Sequence, residues 1–240
     1  MSEIRRSYLI RLVLRCVILL CCVGLLLFRP EQFSVLERGE FFSRFSLLHL
    51  LWGVWLADMI LQIFPIRNKL PLGSMKLFAN RFRPIREKIN YQALHDHVVT
   101  TTKAAYQVML LWCALLLVIG VLYWLGVLTK PMVFLCSVIF YVCDLICVLI
   151  WCPFRLILKN RCCTTCRIFN WDHLMMFSPL LFIGGFYALS LAGTAILAWL
   201  VWELCVMMYP ERFWDKSNLA LQCSECTDRL CTQYCQKLRR

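Results

Sequence analysis

Nearly uncharged apolar runs alternate along this chain with short basic segments, and the runs have the length that a bilayer requires. A transmembrane helix needs about 20 mostly apolar residues, and four runs reach that length: 8–28, 45–66, 106–128 and 132–151. Arg11 and Arg15 interrupt the first, His49 and Asp58 lie in the second, and Asp144 is the one charge in the fourth. The pattern predicts an all-α, polytopic membrane helical bundle of about five to six membrane segments.

A fifth stretch, 174–209, is too long for one crossing. Its 36 residues would form a straight helix of roughly 54 Å, against a hydrocarbon core of about 30 Å. Pro179, Gly184-Gly185 and Gly193 lie in its first part, whereas 194–209 is free of breakers. The expectation is a re-entrant or hairpin arm over 174–189 followed by a span over 190–209; the alternative is one long tilted helix.

Charge turns these spans into a topology. Lys and Arg number 26 against 14 Asp and Glu, a net charge of +12. They gather at the N-terminus (Arg5, Arg6, Arg11, Arg15), in 67–105 and in 152–172. The positive-inside rule puts all three on the cytoplasmic side. The tail, ending Lys237, Arg239, Arg240, joins them, which requires an even number of crossings and favours the hairpin.

The expected division is a transmembrane domain, 1–209, and a short cysteine-rich cytosolic tail, 210–240, in a cell (plasma or inner) membrane with the N-terminus cytoplasmic. The first span reads as an uncleaved anchor, because its apolar run ends Phe28-Arg29-Pro30 with no small-residue cleavage site. Segment 67–105 interleaves Leu70, Leu72, Met75, Leu77, Phe78, Phe82 and Ile85 with basic residues. That mixture suits an amphipathic helix on the anionic inner leaflet. The expected partners are therefore anionic lipids and a membrane or cytosolic redox protein, with no nucleic acid.

Composition narrows the class without naming a reaction. The chain is 61% apolar and 17% charged, against about half and a quarter in soluble domains. This excludes a disordered chain, a collagen and a small disulfide scaffold. There is no GxxxxGK[ST], GxGxxG, HExxH or GxSxG, so ATPases, dinucleotide enzymes and common hydrolases lose their usual support.

Sixteen cysteines carry the candidate chemistry, in two populations. Those in or bordering spans (Cys16, Cys21, Cys22, Cys113, Cys136, Cys143, Cys147, Cys152, Cys205) read as small packing residues. Among them Cys136, Cys143 and Cys147 form a tight stripe at about 100° per residue, with Asp144 on the same half of the helix. Seven others fall in cytosolic segments.

In the tail, Cys223-Ser-Glu-Cys226 is a CxxC, and Cys231 and Cys235 are four apart, on one face of a helix if 227–238 is helical. Four thiolates are the shell of structural zinc and of Fe–S clusters. In the 152–172 loop, Cys162, Cys163 and Cys166 precede His173, which could complete a second, partial site. The neighbouring Arg161 and Arg167 favour thiolate. Cytosolic thiols are not kept as disulfides, which points to metal ligation or redox catalysis.

The intramembrane ionisable residues are Asp58, Asp144, Glu203 and His49, with Arg11 and Arg15 as counter-charges. Such groups are costly in lipid and face partners or cavities; ion pairing is the leading expectation and a proton or cation path the alternative. His49 and His173 are the loose candidates for haem ligation, and Asp96 for a helix cap before the third span.

The leading function is a membrane protein with a cytosolic-face cysteine-ligated metal centre, Fe–S ahead of Zn, for electron transfer or redox sensing. The alternatives are a membrane thiol–disulfide oxidoreductase using Cys223–Cys226 or Cys163–Cys166, and a small transporter or assembly factor using the carboxylates.

Overall fold

A computed structural model describes residues 3–64, 77, 79–86, 88–159 and 166–225. The protein is 79% helical with no strands among these residues. Its helices are α1 (Glu3–Phe28), α2 (Leu48–Ile63), α3 (Tyr91–Trp124), α4 (Lys130–Leu149), α5 (Arg155–Leu158), α6 (Asp172–Phe177) and α7 (Gly185–Met208). Four of them, α1, α3, α4 and α7, are long and apolar enough to cross a membrane. The second apolar run forms only a 16-residue helix, about 24 Å long. Its first residues are drawn into a turn in which the Ser46 hydroxyl donates to the Gln32 carbonyl and accepts from the Leu48 amide.

The third run illustrates what hydropathy misses. α3 begins at Tyr91, fifteen residues ahead of the apolar run, because Asn90 caps it by accepting from the Ala93 amide at 3.1 Å. Asp96, the expected cap, sits inside the helix. The expected amphipathic helix over 67–105 is therefore replaced, within its described part, by a 3-10 turn (Ala79–Arg81), an extended stretch and the first turns of α3. Pro84 accounts for the break: it lacks an amide hydrogen and pushes Arg83 out of helical geometry.

The 172–208 region is a broken helical hairpin. α6 leads into a 3-10 turn (Ser178–Phe182) with Pro179 in its first turn, and the chain reverses at Gly184 and Gly185, whose φ values are +69° and +80°. A β-carbon on Gly185 would stand 3.3 Å from the Leu36 carbonyl oxygen, so both backbone angle and space require glycine there. The bend falls at Gly184-Gly185 rather than near Ser190, and a single long helix does not form.

The centre of the bundle is aromatic. Trp55 of α2 lies 5.8 Å from Phe134 and 5.6 Å from Tyr141 of α4, and 5.0 Å from Phe177 of α6. Phe134 meets Tyr187 of α7 at 5.9 Å, and the Tyr187 hydroxyl donates to the Leu48 carbonyl. All five rings are buried. α7 supplies Ala188, Ala192, Ala195 and Ala198 to the interface, small residues at helical spacing that permit close approach. α1 packs along α4, and α2 and α6 pack along α7.

The chain beyond α7 does not leave the bundle at once. Asn218 forms an isolated antiparallel bridge with Pro84, and Leu77, Trp202 and Leu221 form a small cluster. Residues 210–222 thus belong to the packed body, and the boundary expected at 209/210 is not a structural one.

Candidate functional site

α4 divides the molecule. Val133, Phe134, Val138, Tyr141, Val142, Leu145 and Leu149 face the core, and the helix turns Cys143, Asp144 and Cys147 the other way. These three line a cavity of about 330 Å³ bounded by Trp112 and Leu115 of α3 and by Cys152, Phe154, Arg155, Cys166, Phe169, Asp172 and Met175 of the following segment. The stripe expected to be packing material is thus, at Cys143 and Cys147, the wall of a cavity. The signal for it was the stripe's offset from the bulky apolar face of the same helix, with Asp144 beside it.

Cys152 reaches the cavity because α4 ends at Leu149 and the chain turns, the Trp151 amide donating to the Ile146 carbonyl, with Pro153 next in the chain. The turn places Cys152 in the same cavity wall as Cys147. Cys166 enters from the other side, buried at the head of the 3-10 turn Arg167–Trp171. Four thiols therefore share one set of walls.

The carboxylates expected inside the membrane each meet a basic group. Arg15 of α1 donates to Asp144 at 2.7 Å and to the Tyr141 carbonyl at 2.6 Å, and its guanidinium lies 3.9 Å from the Tyr141 ring centre. Glu203 of α7 accepts from Arg167 at 2.6 Å and from the Trp171 indole at 2.8 Å, while Arg167 also donates to Thr102 of α3 at 2.7 Å. The buried His173 imidazole lies 3.0 Å from Asp172 and 3.4 Å from Asp58, and Gln62 donates to Asp172 at 3.3 Å. Three pairings from separate elements thus hold the 166–173 segment and the adjoining part of α4 in place.

His49 has a local role. Its ring nitrogens lie 2.8 Å from the Phe41 carbonyl oxygen and 3.0 Å from the Ser46 amide nitrogen. It stands nine residues from Asp58, about 13 Å along α2 from the point His173 reaches, so the two histidines do not form a haem pair. His97 stacks on Trp214 at 5.7 Å.

The expected metal centre is not assembled among the described residues, where no three His, Cys, Asp or Glu side chains converge as a metal would need. Cys223 is exposed and Cys166 is buried in the cavity, while His173 is taken up by two carboxylates. Cys162, Cys163, Cys226, Cys231 and Cys235 lie outside the described residues.

Two thiols in one cavity wall can be joined by oxidation or exchange, and thiols around a cavity can also take a soft metal ion. Compared with protein-family models, curated proteins and solved structures, the chain matches none, and its function is read from its own residues.

Proposed function

We propose that this chain is inserted in a cell membrane, with its basic segments cytoplasmic, and that its cysteine-lined cavity performs thiol–disulfide exchange. Insertion is supported by the outward faces of its long helices: Leu20 and Leu27 of α1 and Leu110 and Leu117 of α3 are each about 70% exposed. An apolar surface on that scale suits lipid and not water. The observation that carries the chemistry is that Cys147 and Cys152 line one cavity, which also receives Cys166, the second cysteine of a CxxC.

Exchange proceeds by attack of a thiolate on a disulfide sulfur through a mixed disulfide. In this reading Cys147 and Cys152 form the internal pair, and Cys163–Cys166 is the pair that trades with a partner protein. Burial in an apolar cavity disfavours thiolate, and a nearby cation counters that. Asp144, in the same wall, is paired with Arg15.

The test is thiol mapping by alkylation and mass spectrometry on full-length protein poised in glutathione buffers of graded potential. Cys147 and Cys152 should pass together from alkylated to disulfide-linked, and Cys152→Ser should trap a mixed disulfide on the chain. Thiols that stay alkylated at every potential contradict the reading. The same sample separates it from the centre expected on Cys223, Cys226, Cys231 and Cys235: iron with sulfide, or zinc, bound in stoichiometric amount favours that metal centre.

A further inference from the structure

The cavity is larger than disulfide exchange between cysteines requires, and its walls point to a second reactant. At about 330 Å³ it falls at the lower end of the range of small-molecule sites, roughly 300–1,000 Å³. Trp112, Phe140, Phe154 and Phe169 give it aromatic faces. Two of its wall residues, Leu115 and Cys143, are exposed on the outer surface of α3 and α4, so it borders the apolar exterior that lipid would cover. An occupant arriving from that side is lipophilic, and beside a pair of thiols the useful lipophilic molecule is an electron acceptor.

We propose, building on the thiol-exchange reading, that this cavity binds a lipid-soluble quinone that reoxidises the Cys147–Cys152 pair. The step balances. The two thiols give up two electrons and two protons and a sulfur–sulfur bond forms; the quinone takes both electrons and both protons, its two carbonyl oxygens becoming the hydroxyls of a hydroquinone. The aromatic walls supply stacking surfaces for a flat ring, and the wall thiols are the donors that face its oxygens.

The experiment uses full-length reduced protein in detergent, without oxygen, and a benzoquinone carrying a decyl tail as the probe. Loss of quinone absorbance is followed while the disulfide is mapped, and diamide, a small water-soluble oxidant that needs no cavity, is applied to parallel samples. The expected result is one quinone consumed per Cys147–Cys152 disulfide, with a rate that saturates in quinone. Leu115→Trp, which fills the cavity from its exposed edge, should weaken apparent quinone affinity about tenfold, the factor corresponding to 1.4 kcal/mol, with Leu115→Phe as the milder filling.

Oxidation by diamide but not by quinone overturns the quinone site and leaves thiol exchange standing. Oxidation by neither overturns both. Equal quinone rates in the wild type and both Leu115 variants place the reaction outside the cavity and overturn the assignment.

Discussion

The two faces of α4 obey different rules. On one, Phe134, Val138 and Tyr141 are sealed against Trp55, Phe177 and Tyr187, leaving rings in edge-to-face and tilted contact. On the other, Cys143, Asp144 and Cys147 line a cavity that no side chain fills among the described residues. A protein that needed only stability would close that space, since a void forfeits dispersion contacts on every wall. The hollow side is instead propped open by polar struts: Arg15 holds Asp144, Arg167 holds Glu203, and His173 bridges Asp58 and Asp172. Aromatic packing holds the solid side together, and ion pairs hold the hollow one.

The largest effects should come from emptying the solid side and from cutting the Arg15–Asp144 strut. Trp55→Ala removes the ring at the centre of the aromatic cluster and should cost about 3–5 kcal/mol, read as a lower midpoint of detergent-induced unfolding. Asp144→Ala should cost about the same, roughly 3–5 kcal/mol, because it strands a buried guanidinium. The double change Arg15→Leu with Asp144→Leu should recover most of that loss, since an apolar pair of similar volume replaces a buried ion pair at little cost. A double variant as unstable as Asp144→Ala would show that the strut does more than neutralise.

Smaller effects test the joints. Gly185→Ala forces a side chain into a left-handed backbone and against the Leu36 carbonyl, and should cost about 1–3 kcal/mol. At the bottom of the series, Cys147→Ser and Cys152→Ser should each leave the unfolding midpoint within about 0.5–1.5 kcal/mol of wild type, as near-isosteric changes do, while abolishing the disulfide in thiol mapping. The comparison between faces fails if these serine variants unfold as readily as Trp55→Ala.

Much of the scaffold was legible in hydropathy, because α1 and α4 are apolar runs of bilayer length and little else. The errors have physical causes. α3 extends beyond its apolar run because Asn90 caps it fifteen residues earlier, and hydropathy carries no such term. α7 starts at Gly185 because two consecutive residues need positive φ; both glycines were visible, but which breaker would turn the chain depended on Leu36 packing against it. Segment 67–105 looked amphipathic by composition, yet near Pro84 the described chain leaves helical geometry and bridges to Asn218.

The site was less legible than the fold. Asp58, Asp144 and Glu203 were identifiable as costly groups needing partners, but His173 and Arg167 are 115 and 36 residues away from the acids they meet, distances over which spacing says nothing. Cys147 and Cys152 read as packing residues because a free cysteine in a span behaves as a small hydrophobe; the turn after Leu149 puts both in one cavity wall.

The measurement that bears most directly on this account is the redox state of Cys147 and Cys152 in full-length protein, mapped after equilibration from reducing to oxidising glutathione. The account predicts a single two-electron transition that links these two cysteines to each other. Two independently alkylated thiols at the oxidising end, with the bundle intact, would contradict it.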